Sequence, residues 1–128
     1  VDERAAPLAS DDLCALTACE MASLVRRRLI SPVAVVSAHL RRIAALEPVI
    51  GAFQLVRADK ALAEAAALAD RDDLAALPLA GVPVGIKDNV DVAGEPTRAG
   101  SAATSPAPRA ADDEIVARLR AAGCVIIC

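Results

Sequence analysis

The chain has 128 residues, a formal net charge of −3 and 55% hydrophobic residues, with 31 alanines, one Phe and neither Trp nor Tyr. That much apolar content with so little net charge excludes a chain that stays unfolded for want of surface to bury. At roughly 100 to 200 residues per domain the length allows one domain at most, and a core of Ala, Val, Leu and Ile is thin without aromatic rings that would each bury about 150–250 Å².

In chain order, Thr17-Ala18-Cys19-Glu20 fits a capping box, in which Thr accepts the third helical amide and Glu reaches back. It predicts a helix over 18–28 with Met21, Leu24 and Val25 on one face and Arg26 to Arg28 as a solvated, cationic C-terminal end. Ser31-Pro32 places an N-cap hydroxyl before a proline at the first helical position. The helix predicted there runs over 32–47, with Val36, Leu40 and Ile43 at helical spacing and Glu47-Pro48 as its stop. Ala52 to Val56 alternates as a strand over 52–56. Asp59 then caps a helix over 59–70, on which Leu62, Ala65, Ala66 and Ala69 share a side.

Leu79 to Ile86 is apolar without alternation, which predicts a strand over 82–87 buried on both faces. Val90 to Arg109 holds Gly94, Pro96, Gly100, Pro106 and Pro108; a loop of about 20 residues is long enough to suspect a function. Asp112-Asp113-Glu114 opens a helix over 112–122 whose apolar face is Ile115, Val116 and Leu119, with Arg118 and Arg120 toward its end. Gly123 suits the residue just past that end, and Cys124 to Cys128 reads as a buried strand over 124–128. Helices alternating with strands give an α/β class with crossover units.

Several functions are excluded on this reading. The densest basic run is Arg26-Arg27-Arg28, so no nucleic-acid footprint is present. No apolar run reaches the roughly 20 residues that span a bilayer, and Val1-Asp2-Glu3-Arg4 lacks a signal-peptide core, which predicts a cytoplasmic protein. Cys14, Cys19, Cys124 and Cys128 have spacings unlike a zinc ribbon, and the single His39 offers no second imidazole. All four cysteines read as small buried hydrophobes and His39 as a packing or surface residue. A phosphate loop fails too: Gly81 and Gly85 are too close, Ile86 separates Gly85 from Lys87, Asp88 stands where a hydroxyl is needed, and Pro83 lacks an amide.

Lys87 is the residue with chemistry to offer. It stands at the carboxyl end of a strand, where open α/β sheets place ligands, and burial can turn a lysine ammonium into a usable base. Its alternative is a strand-end lysine that reaches water or pairs with Asp88 or Asp91.

The run Leu79-Ala80-Gly81-Val82-Pro83-Val84-Gly85-Ile86-Lys87-Asp88-Asn89-Val90-Asp91-Val92-Ala93-Gly94-Glu95-Pro96-Thr97-Arg98-Ala99-Gly100-Ser101 resembles the N-terminal core motif of the amidase signature family. The likeness extends over Ser31 to Pro48, Ala52-Phe53, Ala58 to Leu62 and Asp113 to Gly123. It implies the N-terminal part of that α/β fold, a mixed sheet covered by helices and incomplete in this chain. It also implies hydrolysis of carboxylic amide C–N bonds by a Ser, cis-Ser, Lys triad with no metal and no cofactor. Lys87 carries over as the base, and Asp88 and Asn89 as residues that hold the loop. The family's two serines lie in a Gly/Ser-rich segment that Ser10, Ser23, Ser31, Ser37, Ser101 and Ser105 do not match; Ser101 shapes the loop. The resemblance to the general amidase loop at Gly94 to Pro108 is closer than to the transfer-RNA amidotransferase branch. Two expectations follow: an amidase portion acting on a small-molecule amide once joined to the serines, or an inactive module that binds a partner, or itself, through an exposed strand edge.

Overall fold

The computed structural model describes residues 10–128, so the reading of Val1 to Arg4 lies outside the described residues. The elements are α1 (Ser10–Ala15), α2 (Ala18–Arg26), α3 (Pro32–Ile50), α4 (Ala58–Ala69), a 3-10 turn (Leu74–Ala76), β1 (Pro83–Val84), α5 (Glu114–Ala121) and β2 (Val125–Ile126).

Local signals place the helix starts. Thr17 Oγ1 accepts from Glu20 N at 3.2 Å while Glu20 Oε2 accepts from Thr17 N at 2.8 Å, a complete capping box. Ser31 Oγ accepts from Ala34 N at 3.0 Å ahead of Pro32. Asp113 caps α5 by accepting from Ile115 N at 3.0 Å.

Other expectations need correction. Pro48 does not stop α3, which continues to Ile50 and closes on Gly51 at φ 60°, whose N–H donates to Glu47 O at 2.8 Å. A proline so near a helix end removes one hydrogen bond, and the Ala44 carbonyl it deprives belongs to an exposed residue that water can reach. No strand forms over 52–56, because the Glu47 carboxylate takes the amides of Ala52 at 3.1 Å and Phe53 at 2.8 Å. Those N–H groups are spent on a helix end before any sheet neighbour is reached. Asp59 is not the cap of α4; Arg57 holds that position and Asp59 lies in the first turn. The side of α4 that packs inward is Ala61, Ala65 and Leu68, not the side carrying Ala66. Ile115 is 55% exposed, leaving Val116 and Leu119 as the inner face of α5.

Arg26 and Arg28 are not simply solvated. Arg26 Nη1 donates to Pro78 O at 2.9 Å, and the Arg28 guanidinium donates to Ala69 O at 3.0 Å and Arg71 O at 3.1 Å, closing the C-terminal end of α4. Of the cysteines, only Cys124 is fully buried; Cys14 and Cys128 are half-buried and Cys19 is exposed on α2, away from the Met21, Ala22, Val25 face. His39 is half-buried, with Nδ1 2.8 Å from Val35 O one turn earlier.

The sheet is a parallel pair, Pro83 opposite Val125 and Val84 opposite Ile126. Val125 N donates to Val82 O at 2.9 Å and Ile127 N to Val84 O at 3.0 Å. The strands expected over 82–87 and 124–128 are thus short. Beyond β1 the Lys87 carbonyl already accepts from Asn89 N at 2.7 Å and Val90 N at 3.0 Å, which turns the chain. Successive side chains of a strand face opposite ways. Val125 and Ile127 enter a core with Val25, Val35, Ala61, Ala65 and Leu74, whereas Ile126 enters a second one with Val92 and Val116. The strand pair therefore lies between α2 to α4 on one side and α5 with its preceding loop on the other. Among the described residues no helix is long and apolar enough to cross a membrane.

Candidate active site

β1 delivers Lys87 to the rim of a cavity of about 390 Å³. Its walls are apolar, from Phe53, Leu55, Ile86, Val90, Val92 and Pro96, and its charged lining is Lys87, Asp88, Arg57 and Glu95, with Cys128 beside them. Lys87 is exposed, which corrects the picture of a buried base: within this chain it is open to solvent at the cavity rim. It pairs with neither aspartate. Asp88 Oδ1 accepts from Arg98 N at 2.8 Å and Asp88 O from Ala99 N at 2.7 Å, so this residue ties the two ends of the 88–99 loop. Asp91 Oδ1 accepts from the buried Thr97 hydroxyl at 2.6 Å and lies 3.2 Å from Arg109 Nε. Both acids have their carboxylates occupied in shaping the loop, which leaves the Lys87 ammonium unpaired among the described residues. Asn89 adds its backbone amide to the turn, and the residue is exposed.

The loop is far more ordered than its composition suggests. Ala93 and Arg109 form a parallel bridge, Gly94 N donates to Arg109 O at 2.9 Å, Arg109 N to Glu95 O at 2.9 Å, and Ala93 N to Asp112 Oδ1 at 2.7 Å. Ser101 caps a local turn by accepting from Ala103 N at 3.1 Å.

Arg57, which nothing in the sequence singles out, forms the floor. Its side chain is 4% exposed, and each of its guanidinium nitrogens donates to a partner. Nε donates to Glu95 Oε1 at 2.8 Å, Nη2 to Glu64 Oε1 at 2.8 Å, Nη1 to Ile126 O at 2.6 Å, and its backbone N–H to Ile127 O at 2.9 Å. Val125 and Ile127 direct their amides at β1, so the Ile126 carbonyl points the other way, and Arg57 occupies that outward edge. Burial pulls the guanidinium pKa down, but the bonds and charges of Glu64 and Glu95 outweigh it and raise the value above that of a free arginine. It is a permanent cation.

The pairing continues outward. Glu95 Oε1 also accepts from Lys60 Nζ at 2.6 Å. Arg120 Nη1 stands 2.7 Å from Glu64 Oε2, an ion pair without hydrogen-bond alignment, and Arg120 Nε donates to Asp112 Oδ2 at 2.9 Å. Lys60, Glu95, Arg57, Glu64, Arg120 and Asp112 thus alternate in sign from α4 to α5. Burial alone would raise the Glu95 carboxyl, yet the hydrogen bonds from Lys60 and Arg57 hold it below the ordinary glutamate value. Burial pushes the Cys128 thiol up, so it stays protonated near neutral pH. Among the described residues no group of His, Cys, Asp and Glu is arranged to hold a metal ion.

The family model described as Amidase matches residues 34–128. AmiB2 of Mycobacterium tuberculosis (strain ATCC 25618 / H37Rv) is 51% identical over 90 residues, which are 70% of this chain and 19% of that protein. A glutamyl-tRNA(Gln) amidotransferase subunit from Acidothermus cellulolyticus is 42% identical over 120 residues, 91% of this chain and 23% of that one. Among solved structures, native peptide amidase from Stenotrophomonas maltophilia superposes with a TM-score of 0.76 at 34% identity, covering 86% of this chain and 23% of that chain. The chain spans about a fifth to a quarter of the length of these relatives. The matched region contains both strands, the 88–99 loop and every wall of the Lys87 cavity, and the chain belongs to the amidase (amidase signature) family.

Proposed function

We propose that these residues are the lysine-bearing part of a hydrolase of carboxylic amide C–N bonds. The observation that carries the reading is the position of Lys87: just past a parallel strand, unpaired among the described residues, on the rim of an apolar cavity, inside the region that matches the family model. A serine hydroxyl is a poor nucleophile until a base takes its proton. On this reading Lys87, acting as its neutral amine, receives that proton through an intermediate serine as the nucleophilic oxygen bonds to the amide carbonyl carbon, and returns it to the departing amine. Water then cleaves the acyl ester. The scheme uses no metal and no cofactor.

Three of the six serines have other occupations. Ser31 caps α3, and Ser101 and Ser105 accept from amides two residues on, at 3.1 and 3.2 Å. None lines the cavity. The reading therefore takes both triad serines from a segment outside these 128 residues, and the chain alone is expected to hydrolyse no amide. The substrate is a small molecule carrying an uncharged amide whose apolar part meets Phe53, Leu55 and Val92.

The test is a graft. In peptide amidase from Stenotrophomonas maltophilia, the superposing segment is replaced by residues 10–128, and hydrolysis is followed with a panel of aliphatic and aryl amides. Turnover by the graft that disappears with Lys87→Met is the expected result. Turnover that survives Lys87→Met, or Lys87-dependent turnover by the isolated 128-residue chain, would overturn the assignment.

A further inference from the structure

Arg57 is buried and shares a cavity with Lys87, yet each of its guanidinium nitrogens is already engaged with a protein oxygen. A group so placed acts on the cavity through what it holds and through its charge. One guanidinium joins the outward carbonyl of β2 at Ile126, the carboxylate of Glu95 eight residues past Lys87, and Glu64 on α4.

The charges around Lys87 come from three directions. α4 with its cap brings Arg57 to the cavity wall, with Glu64 and Lys60 behind that wall as the ion-pair partners of Arg57 and Glu95. The loop brings Asp88 and Glu95. The end of β2 brings Cys128, whose thiol burial keeps protonated near neutral pH; in the 128-residue polypeptide its α-carboxylate is a further anion, the same in every variant. In the alternating chain from Lys60 to Asp112, three cations balance three anions. Removing Arg57 leaves that floor one negative charge in excess, whereas neutralising Glu95 leaves it one positive charge in excess. The two changes break the same hydrogen bond but push the field at Lys87 in opposite senses.

We propose that Arg57 is a positioning residue for Lys87: its buried fork fixes the Glu95 arm of the loop against β2, and its charge offsets the two glutamates it binds. The relevance of this to hydrolysis rests on the reading of Lys87 as the triad base, but the device itself does not depend on catalysis.

The experiment uses the full 128-residue chain and reads Lys87 directly. The chain is treated with limiting acetic anhydride at about pH 8, and acetylation of Lys87 relative to a free lysine peptide standard is measured by mass spectrometry, since Lys60 is itself paired with Glu95. Near the cavity mouth a unit charge at an effective dielectric between protein and water shifts a proton equilibrium by about half a pH unit, or about threefold in free amine. Arg57→Met is therefore expected to slow Lys87 acetylation about threefold, Glu95→Gln to speed it about threefold, and Arg57→Lys, which keeps the charge but not the fork, to recover part of the Arg57→Met loss. A purely structural role would loosen the loop in both Arg57→Met and Glu95→Gln and move both rates the same way; that result, or no change in either, overturns the proposal. If Arg57→Met does not fold, as judged by loss of a cooperative thermal transition, Glu95→Gln and the double variant Arg57→Lys, Glu95→Gln carry the test, with faster acetylation required of both. Failure of the graft to show Lys87-dependent hydrolysis would end the catalytic reading and leave these acetylation rates unaffected.

Discussion

A Cβ placed on Gly85 would stand 2.9 Å from Cys128 Sγ, so the residue that follows β1 and the residue two past β2 are matched to each other in size. Backbone conformation does not demand glycine here, since Gly85 is absent from the positive-φ glycines. What demands it is close approach beside the cavity. Gly85→Ala should destabilise by about 1 kcal/mol through overpacking, and Cys128→Ala in the same chain should recover most of that loss. Urea unfolding of the two single variants and the double variant checks it, and strictly additive effects would sink the pairing.

Gly123 is a different case. Its φ is +95°, and an added Cβ would meet Leu77 Cβ at 3.0 Å and the Ala80 backbone at 3.1 Å. Both conformation and space require glycine just after α5, where the sequence predicted it. Gly123→Ala should lose about 2–3 kcal/mol, because neither of those atoms can rotate away, and lower the thermal midpoint by about 10 °C. A loss below about 1 kcal/mol would show that the turn can relax.

What the sequence disclosed and what it hid divide along the range of the interactions. The starts of α2, α3 and α5 are written within four residues of themselves, in Thr17 with Glu20, Ser31 with Pro32, and Asp113. The motif around Lys87 is likewise contiguous. Arg57 was invisible because its partners Glu95 and Ile126 lie 38 and 69 residues away, and an arginine before an alanine-rich helix looks like any surface cation. The strand expected over 52–56 failed for a related reason. Alternation supplies a pattern of side chains, but a strand also needs a neighbour for its amides, and Glu47 had already claimed two of them.

Leu74 and Ile115 put that division to a quantitative test. Leu74 sits in a 3-10 turn with no periodic signal in the sequence, and is 2% exposed in the main core, among the largest fully buried side chains. Ile115 falls in an apolar helical pattern and is 55% exposed. Leu74→Ala should cost about 2–4 kcal/mol from lost burial and the cavity left behind, and Ile115→Ala less than about 0.5 kcal/mol. Comparable losses in the two variants would contradict the placement of either residue.

Acid should act on the floor of the cavity through Glu95. Burial pushes its carboxyl pKa up, the hydrogen bonds from Lys60 and Arg57 bring it down further, and the folded value lies below the ordinary 4.5. A carboxyl depressed on folding binds fewer protons in the folded than in the unfolded chain. Its contribution is therefore fully present above about pH 4.5 and lost as pH falls through the folded value. Glu95→Gln should lower stability near neutral pH, since Arg57 and Lys60 lose their shared carboxylate, and should show a shallower decline below about pH 4.5 than the unaltered chain. Urea midpoints for both proteins at about pH 7, 5, 4 and 3 make the comparison. The two curves should converge toward acid, where the carboxylate is protonated in either state; parallel curves across that interval would mean that Glu95 does not titrate with folding and that other groups govern the acid response.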